Sequence, residues 1–308
     1  MRYLLYIGFI IYANAALGQT QLHMTNYVLH QPFINSAAIG SYNTINGAVF
    51  MKMQWVGIKD APAFQGLNFN LPFSNKKSYL GLTVFNDRIG VNKRTDIALS
   101  YAHRIKLNEV HSLSFGLGAD VAIMQSNYSE LTTIMENDPL FSNDTRSYAA
   151  PNFNVGLYFF SKKYYVGFSI PKLLTNQIEY NTAYKMKTTF NVANFHYHLQ
   201  GGYKFRLADH YNLYTSTLVK YVAGSPIQLD VNTMLEYNER IGLGLTYRTS
   251  TIVNGLLNFK ITKSIKIGYS YGYNFNELRN FSNGSHEIIL IFKQVKDKLN
   301  VPDETPRF

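Results

Sequence analysis

The chain has 308 residues, no cysteine, and a formal charge of +10 from Lys+Arg 29 against Asp+Glu 19. Without cysteine, neither a disulfide framework nor a lipoprotein anchor can form. The basic residues are scattered rather than gathered in one arm, which argues against a nucleic-acid-binding module. Tyr and Phe number 24 and 21 against a single Trp, a composition that favours β-strands.

The N-terminus predicts a secretory signal over residues 1–18. Arg2 precedes an apolar run that reaches Tyr12, and the small residues Ala16 and Gly18 suit a cleavage site. That run is too short for a retained anchor helix, and no later stretch is long and apolar enough to span a membrane as a helix. Residues 19–45 alternate poorly. We expect them to form a periplasmic N-terminal segment in the mouth of the fold or just below it.

From residue 46 onward, apolar and polar residues alternate in segments of about ten residues, the period of a strand with one apolar face. Val231 and Leu235 fall on one face of such a segment, and Asp230 falls on the other. A soluble sandwich would also alternate, but strands of this length with aromatic ends fit a membrane barrel better. The fold class predicted is all-β: a transmembrane antiparallel β-barrel of about 14 strands. The predicted strands are 46–55, 62–71, 79–88, 94–105, 110–124, 152–160, 164–171, 194–206, 210–222, 226–237, 239–249, 252–261, 265–275 and 285–292.

Connection lengths test this assignment independently. The even-numbered connections are all short, and the longest ones (125–151, 172–193 and 276–284) are all odd-numbered. Outer-membrane barrels have short periplasmic turns and long outer loops. We therefore expect a barrel over 46–293 in the outer membrane, with a periplasmic tail at 294–308.

No catalytic motif is apparent: the chain has no nucleophile elbow, zinc-protease helix, P-loop or dinucleotide fingerprint. His196 and His198 share a strand face, but no third metal ligand has suitable spacing. The sequence predicts a protein that is not an enzyme, with no cofactor, metal or nucleic-acid partner. Charged residues expected to line the lumen in pairs are Arg104, Asp120, Arg206, Lys220, Asp230 and Glu236.

Four stretches carry a resemblance to a known family. Residues 25–35 read TNYVLHQPFIN and resemble an opening of the form S-Q-Y-x-x-N-x-x-F-I-N, followed in the family by P-A-x-x-G, where this chain has Ser36 in place of Pro. Residues 54–62 read QWVGIKDAP and resemble Q-W-V-G-x-x-x-A-P. Residues 80–90 read LGLTVFNDRIG and resemble G-L-x-x-x-N-D-x-I-G, and LSYAHRI follows at 99–105.

Together these stretches resemble the PorP/SprF family of type IX secretion system outer-membrane proteins in Bacteroidota. The resemblance is specific mainly in residues 25–105. The residues that carry it are Tyr27, Phe33, Asn35, Gln54, Trp55, Gly57, Pro62, Asn86, Asp87 and Gly90. It implies a partner role in the outer membrane: export or surface attachment of a secreted adhesin-type protein through its C-terminal domain, as in gliding motility, or contact with periplasmic type IX components.

The outer loops are the expected binding surface, because loops on a rigid scaffold commonly carry function. Apolar side chains expected there are Trp55, Val56, Ile58, Tyr128, Leu131, Ile134, Leu140, Phe141, Tyr148, Leu173 and Leu174. Two other interpretations remain open. The same side chains could instead fold inward and plug the lumen, and the barrel could be a diffusion channel or small-molecule transporter.

Overall fold

The computed structural model describes residues 24–130, 147–179, 185–249 and 252–295. Within these residues, fourteen strands close into one antiparallel barrel, because the first strand pairs with both the second and the last. This confirms the predicted fold class and strand number. The barrel strands are β1 (Asn46–Met53), β2 (Ala63–Pro72), β3 (Ser78–Ile89), β4 (Asn92–Lys106), β5 (Ser112–Ser126), β6 (Tyr148–Phe160), β7 (Tyr164–Ile170), β10 (Tyr197–Ala208), β11 (Tyr211–Tyr221), β12 (Gln228–Tyr237), β13 (Ile241–Arg248), β14 (Ile252–Lys260), β15 (Ile265–Asn274) and β16 (Ser285–Lys293).

A small separate sheet lies in the connection between β7 and β10. It consists of β8 (Thr175–Glu179) and β9 (Lys185–Thr189), paired antiparallel. The sequence predicts 172–193 as a loop without strands of its own. The difference arises because this hairpin is too short and too polar to show a period-two apolar pattern.

The two faces of each strand differ as the alternation predicts. In β12 the side chains of Asp230 and Glu236 are buried inside the barrel, whereas Val231 and Leu235 are exposed on its outer surface. The last strand repeats this pattern, with Ile288 and Leu290 on the outside. An apolar outer surface over a polar interior is the arrangement that a lipid bilayer requires of a barrel.

The barrel has two unlike ends. At the end we call the turn end, connections span only 73–77, 107–111, 161–163, 209–210, 238–240 and 261–264. At the opposite end, the loop end, they include 54–62, 127–147, 171–196 and 275–284. The β3–β4 connection at the loop end is shorter than predicted, because β4 begins at Asn92 and Gly90, with φ +58°, turns the chain at once.

The lumen contains the chain's own N-terminal segment. Short 3₁₀ turns run over Asn26–Leu29, Gln31–Phe33 and Ser36–Ser41, and almost every side chain in them is buried. The Met24 carbonyl accepts a hydrogen bond from Arg248 near the loop end, whereas Asn43 accepts one from Arg104 near the turn end. The described part of 19–45 therefore crosses the lumen rather than staying at one mouth. Residues 1–23 and 296–308, with the expected signal and most of the tail, lie outside the described part.

Candidate functional site

The loop between β1 and β2 has an unusual backbone. Gln54 N donates to Pro62 O at 2.9 Å and closes the hairpin, while Trp55 and Gly57 adopt φ of +54° and +102°. Left-handed backbone is uncommon for a bulky residue such as Trp and persists only where neighbours hold it. One neighbour is Ser285, whose Oγ accepts from Trp55 N at 3.3 Å.

The same loop is bonded to its neighbours on both sides. Val56 N donates to Gly284 O at 2.8 Å, and Asn283 N donates back to Val56 O at 2.7 Å. On the other side Gly90 N donates to Asp60 O at 3.0 Å. These main-chain bonds join the β15–β16, β1–β2 and β3–β4 connections into one bonded rim, which holds the family-motif loop in a fixed position.

The predicted contact side chains at the loop end are less exposed than a free binding surface would require. Those that the structure describes are half-buried: Trp55, Val56, Ile58, Tyr128, Tyr148, Leu173 and Leu174. Those that lie outside the described residues are Leu131, Ile134, Leu140 and Phe141. The assignment of a partner to these residues stays a prediction.

Leu173 and Leu174 show how such residues are held. Asn152 Oδ1 accepts from both of their backbone N–H groups at 2.9 Å, and Asn152 Nδ2 donates to Leu174 O at 2.8 Å. One side chain on β6 therefore fixes the start of the long β7–β10 connection. Because the Asn152 side chain forms hydrogen bonds with the first backbone groups of the loop, the direction in which the loop leaves the barrel is fixed.

Other apolar side chains at the loop end are each more than half exposed. They are Phe190, Val192, Ile227, Phe275 and Phe281. Sequence reasoning did not place them at the binding surface: Ile227 and Phe275 fall within predicted strands, and an isolated apolar residue in a polar loop, such as Phe281, has no periodicity. Their only signal is that large apolar residues recur in segments otherwise rich in Asn, Ser and Gly. Three of the loop-end connections therefore carry exposed apolar side chains.

The first family stretch has its role inside the lumen. Phe33 packs against Phe50 and Phe85, with ring centroids 5.1 Å and 5.6 Å away. The Asn35 side chain accepts from Ala37 N at 2.9 Å and donates to the carbonyls of Leu157 and Phe168, at 3.0 Å and 3.3 Å. Asn35 therefore caps a turn of the segment and bonds it to two barrel strands at once.

Glycines on the inner face leave room for this segment. A Cβ at Gly116 would meet the Ala37 backbone nitrogen, and a Cβ at Gly156 would meet the Asn35 side chain. Both distances are shorter than real Cβ contacts allow, so these positions require glycine while the segment is in place. The pattern of inward glycines on β5 and β6 is the sequence signal that could have predicted a filled lumen.

Buried ion pairs fasten the start of the segment near the loop end. Arg248 donates to both carboxylate oxygens of Asp230, at 2.8 Å and 2.7 Å. Glu287 accepts from the backbone nitrogens of Thr25 and Asn26, at 2.8 Å and 2.7 Å, and lies 3.7 Å from Lys52. Bidentate and charge-assisted bonds of this kind are the strong ones.

Most of the predicted lumen charges do face inward. Asp230, Glu236, Lys220 and Arg104 are buried. Arg206 does not follow: its side chain is 72 % exposed and pairs with Asp209 at a turn. It lies near the end of β10, at the turn-end mouth of the barrel, where water is available.

A mixed-charge patch lies near the start of the β7–β10 connection. Arg94 Nη2 donates to Asp96 at 2.7 Å. Burial lowers the pKa of the Lys172 ammonium, and the charge of Arg94 lowers it further, whereas Asp96 and Asp120 raise it. Burial likewise lowers the pKa of His196, aided by nearby Lys172.

Cavities remain on both sides of the N-terminal segment. One of about 140 Å³ is lined by Phe33, Asn35, Asp120 and Lys172, and one of about 370 Å³ opens at the turn end. Within the described residues no group of three or more His, Cys, Asp or Glu is placed to hold a metal ion. That part of the chain also has no helix of the length and apolarity needed to cross a bilayer.

Comparison with solved structures finds other barrels. The toluene transporter TbuX of Ralstonia pickettii is similar with a TM-score of 0.51 and 8% identity, covering 85% of this chain and 92% of that chain. The CymD monoaromatic hydrocarbon channel has a TM-score of 0.50 and 11% identity, covering 90% and 94%. At such identities the likeness concerns the fold alone. No curated protein matches the chain.

Comparison with protein families gives a match described as the type IX secretion system membrane protein PorP/SprF, over residues 16–292. The match spans the lumen segment, the bonded rim and all fourteen barrel strands. The outer membrane is where a barrel of this kind belongs. The chain therefore belongs to the PorP/SprF family of type IX secretion system outer-membrane proteins.

Proposed function

We propose that this barrel is a non-enzymatic component of type IX secretion that supports export or cell-surface attachment of an adhesin-type protein, as in gliding motility. Its loop end faces the exterior and contacts the C-terminal domain of that secreted protein. The observation that carries the proposal is the bonded rim at the loop end, beside which large side chains such as Phe281 remain exposed. Large apolar groups presented on a fixed support suit a protein interface.

The filled lumen favours a barrel that contacts its partner from outside over a pore through which the partner passes. Segment 24–45 is bonded to the wall at Glu287 and Asn68, on the two strands that flank β1, and at Leu157 on the more distant β6. A secreted polypeptide could enter the lumen only after these bonds broke. The partner therefore binds on the loops, and another component carries the translocated chain.

Orientation follows from connection length, since outer-membrane barrels keep short turns in the periplasm. Epitope tags inserted at 276–284 and at 261–264 check this. On intact cells, antibody should label the first position only. Labelling of the second and not the first would reverse the orientation.

A diffusion channel is the second candidate function, favoured by fold likeness to barrels that are named as a toluene transporter and a monoaromatic hydrocarbon channel. Steady conductance by the wild-type barrel in planar bilayers, altered by Lys220→Gln or Asp230→Asn, would support it. Under the leading proposal the wild-type barrel conducts poorly, because its lumen is filled.

Deleting residues 129–143 tests the partner proposal in cells. The barrel should still assemble, while the cognate surface protein is shed into the medium. A matched variant carries a Ser-Gly linker of equal length in the same place, which keeps the loop's reach but removes its side chains. It should behave like the deletion. Full retention of the surface protein in both variants would contradict the proposal, and ion conduction by the deletion variant would indicate that 129–143 plugs the lumen.

A further inference from the structure

The turn-end cavity is bounded by the N-terminal segment within the lumen and by the strand ends at its rim. Val28 and Leu29 form part of its inner wall, and Ile291 lies beside them. Its volume of about 370 Å³ falls within the usual range of small binding sites, roughly 300–1,000 Å³. The cavity has the size for a short segment of chain rather than a whole domain.

The rim of this cavity is strongly basic. Its lysines are Lys162, Lys204, Lys260, Lys263, Lys266 and Lys293. They come from the ends of four different regions of the barrel wall: the β6–β7 turn, β10, the β14–β15 connection with its flanking strands, and β16. Amino groups that converge from separate elements around one opening create a local positive potential.

The carboxylates in the cavity are already engaged. Glu236 accepts a hydrogen bond from Tyr214 Oη at 2.9 Å and lies 3.5 Å from Lys266 Nζ. Glu239 lies 4.0 Å from Lys204 Nζ. These contacts stabilise the wall and leave a net positive charge at the opening.

Three rim lysines remain available. Within the part of the chain that the structure describes, Lys162, Lys260 and Lys263 form no ion pair. Lys162 and Lys263 are exposed, and Lys260 is half-buried. Ammonium groups held at an aqueous opening above an apolar wall suit a ligand with carboxylates beside an apolar side chain.

We propose that the turn-end cavity binds an acidic polypeptide segment of a protein on the turn side of the membrane, with its carboxylates on the lysine rim and an apolar side chain against Leu29. A lipid headgroup fits less well, because the cavity opens inside the barrel mouth and the lipid-facing surface is the outer face of the strands. Other lysines at the same end, such as Lys76 and Lys77, add attraction at longer range.

This cavity lies at the opposite end from the loop-end surface. The proposal for this cavity rests on the proposed orientation of the barrel, but not on which secreted protein the loops contact. Loss of surface attachment in loop variants and loss of peptide binding in rim variants are separate measurements, so either proposal can fail alone.

The test uses the full chain in zwitterionic nanodiscs and fluorescein-labelled peptides of six glutamates and one leucine. Fluorescence anisotropy should show saturable binding that weakens as salt rises, because the contacts are between exposed charges. A peptide with lysine in place of glutamate should not bind.

A matched pair of variants locates the site. In the rim variant, Lys162→Gln, Lys260→Gln and Lys263→Gln are combined. In the control, Lys76→Gln, Lys77→Gln and Lys106→Gln remove the same charge at the same end but outside the cavity. The rim variant should bind the peptide about tenfold more weakly, and the control within about twofold of wild type. Both should keep the wild-type thermal unfolding curve.

Several outcomes would overturn the proposal. Equal losses in both variants would indicate diffuse attraction by the whole end. Loss of peptide binding in phosphatidylglycerol nanodiscs, but not in zwitterionic ones, would indicate that the site takes a lipid headgroup. If the full chain bound no peptide and a chain ending at Val295 did, the occupant would be the chain's own C-terminal tail.

Discussion

The two ends of this barrel are connected by the same strands but present different side chains, apolar at one end and basic at the other. At the loop end, connections are bonded to one another through main-chain groups such as those of Val56 and Gly284, and they present large apolar side chains. At the turn end, connections are as short as two residues and carry lysines around a cavity. Contact through apolar area is short-ranged, whereas contact through charge acts at a distance and responds to salt. The ends are therefore suited to different partners.

The ion pairs follow the same division. Arg248 and Asp230, towards the loop end, are 1% and 0% exposed and lie 2.7 Å apart. Arg206 and Asp209, at the turn end, are 72% and 87% exposed. The buried pair also holds the N-terminal segment through the Met24 carbonyl, whereas the exposed pair lies at a turn.

The largest effect is expected from breaking the buried pair. Asp230→Ala should lower the free energy of unfolding by about 3–5 kcal/mol, because Arg248 is left charged and buried without its partner. Asp209→Ala is the control at the turn end, where loss of an exposed pair should cost about 0–1 kcal/mol. Urea unfolding in detergent micelles measures both. Similar losses of unfolding free energy at the two sites would contradict the expectation that the buried pair contributes more than the exposed one.

The second largest loss of stability is expected on the lipid-facing surface, between the two ends of the barrel. Leu290→Arg should cost roughly 2–4 kcal/mol if Leu290 lies near the bilayer midplane, because a charge there is exposed to lipid. Phe281→Arg places the same charge at the loop end, where water is available, and should leave unfolding in lipid vesicles nearly unchanged. An equal cost at position 281 would put that loop inside the membrane.

A smaller effect is expected from crowding the lumen. Gly116→Leu should displace the segment at Ala37 and cost about 1–3 kcal/mol through overpacking. The variant should also conduct ions more than wild type, since the displaced segment opens the lumen. Gly255→Leu is the control, because a Cβ there meets nothing within 4 Å. If Gly116→Leu stayed closed and stable, the segment would not be what fills the lumen.

Sequence reasoning succeeded where the period was two. The alternation through β12 predicts which side chains face inward. It failed for the N-terminal segment, since 3₁₀ turns bury residues on every side and have no amphipathic period. Asn35 is among the residues that carry the family resemblance, but the sequence does not predict its structural role. Its contacts with Leu157 and Phe168 join positions more than a hundred residues apart. Contacts at such separation have no local signal.

The loop end was predicted in position but not in detail. The sequence predicts that the long connections share one end of the barrel, and the structure places 54–62, 171–196 and 275–284 at one end. The side chains expected to be exposed there, such as Leu173, are half-buried because β6 binds the loop's first residues. Phe281 was missed and is 73% exposed. Exposure in loops depends on hydrogen bonds to neighbouring connections, and no pattern in the sequence encodes those.

Site-specific photo-crosslinking in the native outer membrane tests the central claim most directly. A photoreactive residue at position 281 should capture a secreted surface protein, and the same residue at position 263 should capture a different, periplasmic protein. Position 290, on the lipid-facing surface, is the background control. Capture of a surface protein at 281 and not at 263 is the predicted result. A surface protein captured equally at both ends, or at neither, would contradict an account in which the loop end holds the secreted partner.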